Sequence, residues 1–447
     1  MLEDVKNAGV VGAGGAGFPT HVKLDCKVEY LIVNAAECEP LLATDKYIMN
    51  AYPDEIVEGV CAVADHVSAS KAFIAIKSVN QKETGSVRDA ISRLRRNVEV
   101  FPLDNYYPAG DEQMVVYDVT GRTVPPSGIP LEVGAVVSNV ATILNIHDAM
   151  RGHPVTHKFL TVTGEVLRPM ILKVPIGTAF EECLNACGGV SLADFKVIDG
   201  GPMMGTVADD ADIGSKRVTK TTSGIIIIPD KDNFVSRQHD TVVEKILNRA
   251  KSACIQCTFC TDMCPRRLIG HKIRPHMVMR RMSTMDFGVA LSADSILEEA
   301  LICCECGICE AFACPMALSP RQVNKYVKKQ LSGVRYNKTD EPLVPSDMRA
   351  YRKIAPSKIM ARMGLWGLYA NKANDFAELS PETVRIPIKQ HIGAPARPAV
   401  QPGESVSCGQ LIAEADGRVS AHVHASIDGV VTEVENFIEI KRNRPES

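Results

Sequence analysis

Cys254-Ile255-Gln256-Cys257-Thr258-Phe259-Cys260-Thr261-Asp262-Met263-Cys264-Pro265 is the stretch on which the reading of this chain turns. Its cysteines are spaced C-x2-C-x2-C-x3-C, with a proline after the last. Further on, Cys303, Cys306, Cys309 and Cys314, followed by Pro315, repeat the triple spacing with a last gap of four residues instead of three. Short gaps let three thiolates of one loop converge on three irons of a cubane, while the more distant fourth cysteine reaches the other loop's cluster. The spacing therefore predicts two 4Fe-4S clusters. One takes Cys254, Cys257, Cys260 and Cys314; the other takes Cys303, Cys306, Cys309 and Cys264.

The alternative is a pair of structural zinc knuckles, since C-x2-C also serves tetrahedral zinc. A triple run closed by Cys-Pro, present twice, supplies more thiolates than zinc takes. Eight of the fifteen cysteines lie in the two runs. In a reducing compartment this density argues for metal and against disulfides. Cys304 breaks the spacing and is expected to be a free buried thiol. Cys26, Cys38, Cys61, Cys183, Cys187 and Cys408 are scattered and read as small core residues.

Outside the runs, the 447 residues suggest several domains. With 45% hydrophobic and 23% charged residues the chain reads as globular, and a net charge of -3 excludes the basic footprint of a nucleic-acid binder. No apolar stretch approaches the roughly 20 residues of a membrane span. The start, Met1-Leu2-Glu3-Asp4, has no signal-peptide pattern, which leads to a cytoplasmic expectation.

Strand-like runs at 30–33, 72–76 and 133–137 alternate with helix-like stretches at 54–67 and 83–96, which predicts an α/β layer over the first 150 residues. Short β-branched runs at 159–162, 171–174 and 225–228, with one helix at 179–187, predict a small β-rich module. Residues 241–331 read as helical, a polar stretch at 332–345 as a linker, and 388–440 as a compact β domain. There is no long internal repeat.

Near the start, Gly12, Gly14, Gly15 and Gly17, then Phe18-Pro19, form a loop whose amides can approach a phosphate or a flavin edge closely. Alone it is a weak signal, because turn chemistry explains most such loops and no strand precedes it. Three polar clusters accompany it: Asn34-Ala35-Ala36-Glu37-Cys38-Glu39-Pro40, Tyr107-Pro108-Ala109-Gly110-Asp111-Glu112 and Ser138-Asn139-Val140-Ala141-Thr142. Together with residues 10–23 they resemble the flavin-and-NADH module of the complex I flavoprotein subunit and of RnfC. Residues 155–205, ending Gly200-Gly201-Pro202-Met203-Met204-Gly205, resemble the soluble-ligand-binding β-grasp (SLBB) domain. The cysteine runs follow the bacterial ferredoxin pattern, and 391–440 resemble the barrel-sandwich (biotinyl/lipoyl-like) domain of RnfC. With the sandwich last, the order is similar to that of the PduS-type cobalamin reductases.

The resemblance implies a multidomain α/β and β chain. It runs as an FMN/NADH-binding α/β domain (1–152), an SLBB β-grasp domain (153–235), a helical ferredoxin-like two-cluster domain (240–332), a linker with a helical segment (333–387) and a barrel-sandwich hybrid (388–442). It assigns FMN contacts to Gly12, Gly14, Gly15, Lys23, Asn34, Glu37, Tyr107, Gly110, Asn139 and Thr142, and puts Glu112 at the nicotinamide face as the catalytic candidate. Lys23 offers a cation to the phosphate, and Asn139 and Thr142 offer donors. The sequence departs from the complex I pattern at Ala13, Ala36 and Ser138, where that pattern has Arg, Asp and Asn. The sandwich turn Ala425-Ser426-Ile427-Asp428-Gly429 has no lysine for biotin or lipoate, so this module is expected to be structural or docking.

The implied function is electron transfer from NADH through FMN and the two clusters to a corrinoid (cobalamin) or its adenosylating enzyme. The implied setting is the cytoplasm, inside a bacterial microcompartment of propanediol utilisation with its shell proteins. Two alternatives stand beside it: an RnfC-like subunit of a membrane complex, and a non-catalytic electron wire that no longer binds NADH. The basic residues Arg266, Arg267, His271, Lys272, Arg274, Arg280 and Arg281 read as a solvated helical face, or else as a docking face for an acidic redox partner. Anaerobic reconstitution should yield about eight irons and about eight acid-labile sulfides per chain. A stable preparation holding only zinc would contradict the cluster reading.

Overall fold

Leu31, Ile32 and Val33 are fully buried, as are Ile74, Ala75 and Ile76. Such continuous apolar runs mark parallel strands covered on both faces. In the computed structural model, which describes residues 1–443 except 232, 240, 289–290, 293 and 338–341, β1 (Tyr30–Ala35), β2 (Lys71–Lys77), β3 (Glu99–Leu103) and β4 (Ala135–Asn139) form a parallel sheet in the order β3-β2-β1-β4. The side-chain period of two divides the core. Leu31, Val33, Ile74 and Ile76 pack with Ile56, Val60 and Ile143 of the helices Pro53–His66 and Val140–Met150. Ile32, Ala75 and Val137 pack with Val115 and Val116 of the helix Glu112–Thr120 on the other face. The chain leaves β1 toward β2 and β3, then returns to β4 on β1's other side. The carboxyl ends of β1 and β4 therefore flank the switch point where doubly wound sheets bind ligands.

The second sheet contains β5 (His157–Gly164), β6 (Met170–Pro175), β7 (Phe195–Asp199), β8 (Thr206–Asp209), β9 (Gly224–Pro229) and β10 (Asp375–Glu378), in the order β10-β6-β5-β9-β7-β8. Phe180 on the helix Phe180–Ala186 fills its core with Leu160, Val162 and Ile225. The cysteine region is helical as expected. Helices Val243–Ala253, Pro275–Ser283 and Pro320–Gln330 pack through Ile246, Val278, Met279, Val323 and Val327. No helix among the described residues is long and apolar enough to cross a membrane.

The expected boundaries differ from the structure between 333 and 387. Part of the expected linker, 338–341, lies outside the described residues. β10 joins the β-grasp sheet beside β6, and Phe376 stacks on Tyr47 with ring centroids 4.7 Å apart. β11 (Thr383–Pro387) already belongs to the C-terminal sandwich. That sandwich continues with β12 (Arg397–Pro398), β13 (Ser405–Val406), β14 (Leu411–Glu414), β15 (Val423–His424), β16 (Gly429–Val434) and β17 (Phe437–Lys441), arranged as β11-β17-β16-β13 and β12-β14-β15. β10 shows no alternation of burial, so only its partner strand reveals it.

The sandwich is clamped onto the rest of the chain. Lys220, buried in the β-grasp domain, donates to the carbonyls of Gly9 (2.7 Å) and His422 (2.6 Å). The turn lacking a carrier lysine is buried over Ala425, Ser426 and Ile427, where Ser426 donates to the Ile176 carbonyl at 2.6 Å, while Asp428 stays exposed and accepts from the Cys408 amide at 2.7 Å. A swinging arm needs a lysine at the exposed tip, where this chain has Asp428, and the buried part of the turn serves as a structural contact.

Candidate functional site

Asn34 at the end of β1 and Asn139 at the end of β4 stand at the switch point, and the glycine-rich loop lies over them. Asn34 donates to the Gly110 carbonyl at 2.9 Å. Asn139 caps the helix Val140–Met150 by accepting from the Ala141 amide at 2.9 Å, while its amide nitrogen donates to Asp45 at 3.0 Å. Thr142 in the first turn accepts from the Ala13 amide at 2.9 Å, tying the loop to this helix. Asp111 caps the helix Glu112–Thr120, accepting from the Gln113 and Met114 amides. Two helix N-termini thus open on one space, an arrangement that favours an anion.

That space is a cleft of about 400 Å³, within the range of small-molecule and cofactor sites. Gly12, Gly14, Gly15, Lys23, Asn34, Tyr107, Gly110, Glu112, Asn139 and Thr142 all line it. The glycines matter sterically: a Cβ on Gly14 would lie 2.9 Å from the Asn139 side chain, and one on Gly110 would lie 2.8 Å from Cys38. Lys23 and Glu112 form an ion pair across the cleft at 2.6 Å.

Glu37 differs from the expectation. It does not line the cleft; its carboxylate accepts from the Asp45 amide at 2.6 Å, at the start of the helix Thr44–Ala51. The left-handed backbone at Glu37 (φ 39°) turns this side chain away. Glu39, two residues on, takes the wall position instead. It accepts from the Met203 amide at 3.0 Å, while its other oxygen is enclosed without a hydrogen-bond partner among the described residues. Burial raises its carboxyl to about 7. Cys38 also lines the cleft and accepts from the Gly110 amide. Of the six scattered cysteines, Cys183 and Cys187 are core; Cys26, Cys38 and Cys61 are half-buried and Cys408 is exposed.

The two cysteine runs fold alike. Gln256 and Thr258 in the first, and Glu305 and Gly307 in the second, occupy left-handed backbone at equivalent positions. This curls each loop inward on its thiols. Burial raises the Cys260 thiol to about 12, and Cys314, Cys257 and Cys254 add to the effect. Burial raises Cys264 and Cys309 too, with Cys304 and then Cys303 adding to Cys264, and Cys303 adding to Cys309; Cys306 is raised first by its contact with Cys304, then by burial, with Cys264 and Cys309 adding. Cys264 lines one pocket with Cys303, Cys304, Cys306 and Cys309 of the second run, and Cys314 stands with the thiols of the first run about Cys260, which also acts on Cys309 across the two groups. Two runs of thiols folded alike in this way suit a pair of cubanes. Amides of Glu305 and Leu318 donate to the Cys303 and Cys314 sulfurs, contacts that tune cluster potential.

Cleft and thiols meet at Cys306, which lines both spaces. The buried Tyr107 hydroxyl donates to the Cys306 carbonyl at 2.8 Å. The basic stretch after Cys264 is not one face: Arg266 pairs with Asp111 at 2.8 Å, His271 is buried against the Val124 carbonyl, and Arg274 pairs with the buried Glu299. Only Arg267, Lys272, Arg280 and Arg281 of the group are exposed.

Family models match in the same order: the Nuo51 FMN-binding domain over residues 5–148, the SLBB domain over 159–207, a 4Fe-4S dicluster domain over 253–319 and the RnfC barrel sandwich hybrid domain over 372–446. Cobalamin reductase PduS of Citrobacter freundii is 39% identical over 97% of this chain and 94% of its own length; that of Salmonella typhimurium is 40% identical with the same coverage. A component of the proton-translocating ferredoxin:NAD(+) oxidoreductase complex of Clostridium ljungdahlii is 37% identical over 60% of this chain and 56% of its own length. A chain of the NAD+-reducing [NiFe]-hydrogenase in its H2-reduced state has the same fold over 75% of this chain and 63% of its own, with a TM-score of 0.50 and 19% identity.

Glu39 gives a pH prediction. Its carboxyl titrates near 7 folded, against 4.5 for the ordinary group. As pH rises between those values the unfolded chain gives up the proton and the folded chain keeps it, so stability is lost across this window. Glu39→Gln avoids that loss. Its thermal midpoint should exceed the parent's by a margin that widens by a few degrees from pH 5 to 7.5; a margin constant with pH would contradict the enclosed, protonated carboxyl.

Proposed function

The chain belongs to the PduS family of cobalamin reductases, and from that premise we propose that it passes electrons from NADH, through FMN and two 4Fe-4S clusters, to a corrinoid. At the coarser level it is a flavin and iron-sulfur oxidoreductase, with an FMN-binding domain and a dicluster domain in one chain. FMN supplies the conversion of a hydride's electron pair into single electrons, which cubanes require. Cys306 carries the reading, because a residue of the second run forms part of the cleft wall itself.

The cleft residues fit such a group. The amides of the glycine-rich loop and the N-terminus of the helix Val140–Met150, with Asn139 and Thr142, would hold the phosphate, and Lys23 would offer its cation. Glu112, paired with Lys23, would face the nicotinamide. Glu39 can hold a proton at the cleft wall near neutral pH, on the oxygen that has no partner. Tyr107 keeps its proton, since burial pushes its hydroxyl well above the ordinary range, so it remains a donor to the Cys306 carbonyl. Cys254, Cys257, Cys260 and Cys314, and Cys303, Cys306, Cys309 and Cys264, would each hold one cluster. We place the protein on the cytoplasmic side, in a propanediol-utilisation microcompartment with its shell proteins, on the strength of the family alone.

Two variants test the order. In Cys257→Ala, NADH-dependent reduction of a hydride-accepting dye should persist while corrinoid reduction falls by more than about tenfold. In Gly14→Val, whose side chain displaces Asn139, flavin absorbance and both activities should fall together while iron is retained. Full corrinoid reduction by Cys257→Ala would show that electrons bypass that cluster and would overturn the reading.

A further inference from the structure

Arg266 and Asp111 lie 155 residues apart in sequence and meet at 2.8 Å, with side-chain exposures of 11% and 14%. Each end has its own second neighbour. Asp111 caps the helix that carries Glu112 and lines the flavin cleft. Arg266, two residues after Cys264, has a buried Nε without a hydrogen-bond partner among the described residues, and its guanidinium lies beside the Cys304 thiol. Cys304 lines one pocket with Cys264, Cys303, Cys306 and Cys309. The pair therefore spans the wall between the two spaces, with its positive end toward the second thiol set and its negative end toward the cleft. Among the described residues Arg321–Glu310 at 2.6 Å and Lys328–Glu305 at 3.0 Å also stand near these thiols, and neither pair has a member lining the cleft.

A buried ion pair seldom offsets its desolvation cost in stability, so its placement calls for another account. A cation beside a cluster favours the form with one more electron, and an anion beside a flavin disfavours its reduced form; buried charges are little screened. We propose that the Arg266–Asp111 pair is a fixed dipole that widens the potential gap between the flavin cleft and the cluster held by Cys264, Cys303, Cys306 and Cys309, favouring electron passage toward that cluster. Arg266 and Asp111 are positioning residues for charge. The proposal rests on the flavin-and-cluster reading above.

The test is redox titration of the full reconstituted protein, with the cluster midpoints read by EPR and the flavin midpoint by absorbance. Arg266→Met should move one of the two cluster midpoints to more negative potential and leave the other in place, and Arg266→Lys should restore it. Asp111→Asn retains a side chain that caps helices as well as Asp does, so it keeps the test open if Arg266→Met does not fold. It should raise the flavin midpoint more than any cluster midpoint. Each variant should narrow the flavin-to-cluster gap, from opposite ends. Unchanged midpoints in variants that hold flavin and full iron would overturn the dipole while sparing the proposed function. Absence of flavin or iron from the parent protein would instead overturn the proposed function.

Discussion

The hydrogen bond from the Tyr107 hydroxyl to the Cys306 carbonyl joins parts of the chain 199 residues apart. Through it the α/β domain and the cluster domain share a wall, and the other arrangements of the site depend on that sharing. Tyr107 sits just before Gly110, whose close approach to Cys38 fixes the loop leading to the Asp111 cap. Cys306 sits between two left-handed residues, Glu305 and Gly307, whose backbone turns its thiol inward and leaves its carbonyl free to accept. Were the two domains joined only by a flexible linker, the cleft and the thiol sets would have no fixed separation, and electron transfer would have no defined partner.

The glycine-rich loop is held by the same logic from other directions. A loop of small residues loses much conformational entropy on being ordered, and here three domains share the ordering. Lys158 of the β-grasp domain donates to the Ala13 carbonyl at 2.9 Å, Thr142 accepts from the Ala13 amide, and Ile392 of the sandwich donates to the Ala16 carbonyl at 3.1 Å. Gly17, in left-handed backbone at φ 71°, leaves no room for a Cβ beside Thr221 and His391. The sandwich, without a carrier lysine, serves as a brace for the loop over the cleft.

Much of this was legible in the sequence because it is written in local spacing. The cysteine intervals predicted two 4Fe-4S clusters, where a dicluster domain matches, and the apolar runs at 30–33 and 72–76 predicted strands of an α/β layer. What the sequence concealed depends on tertiary partners. Glu37 and Glu39 look equivalent in Asn34-Ala35-Ala36-Glu37-Cys38-Glu39-Pro40, and only the left-handed turn at Glu37 decides which of them reaches the cleft. Arg266 reads as one more cation in a basic stretch until Asp111 arrives from another domain. β10 has neither length nor alternation to mark it; its order comes from β6 and from Tyr47.

The account stands on two iron centres with crossed ligands, one of them against the cleft. Anomalous diffraction at the iron edge, from crystals of the reconstituted protein, measures this directly. The account predicts one iron set enclosed by Cys264, Cys303, Cys306 and Cys309, on the Tyr107 side of the cleft, and a second enclosed by Cys254, Cys257, Cys260 and Cys314. Iron sets each closed by the four cysteines of a single run, or no iron beside Cys306, would contradict it.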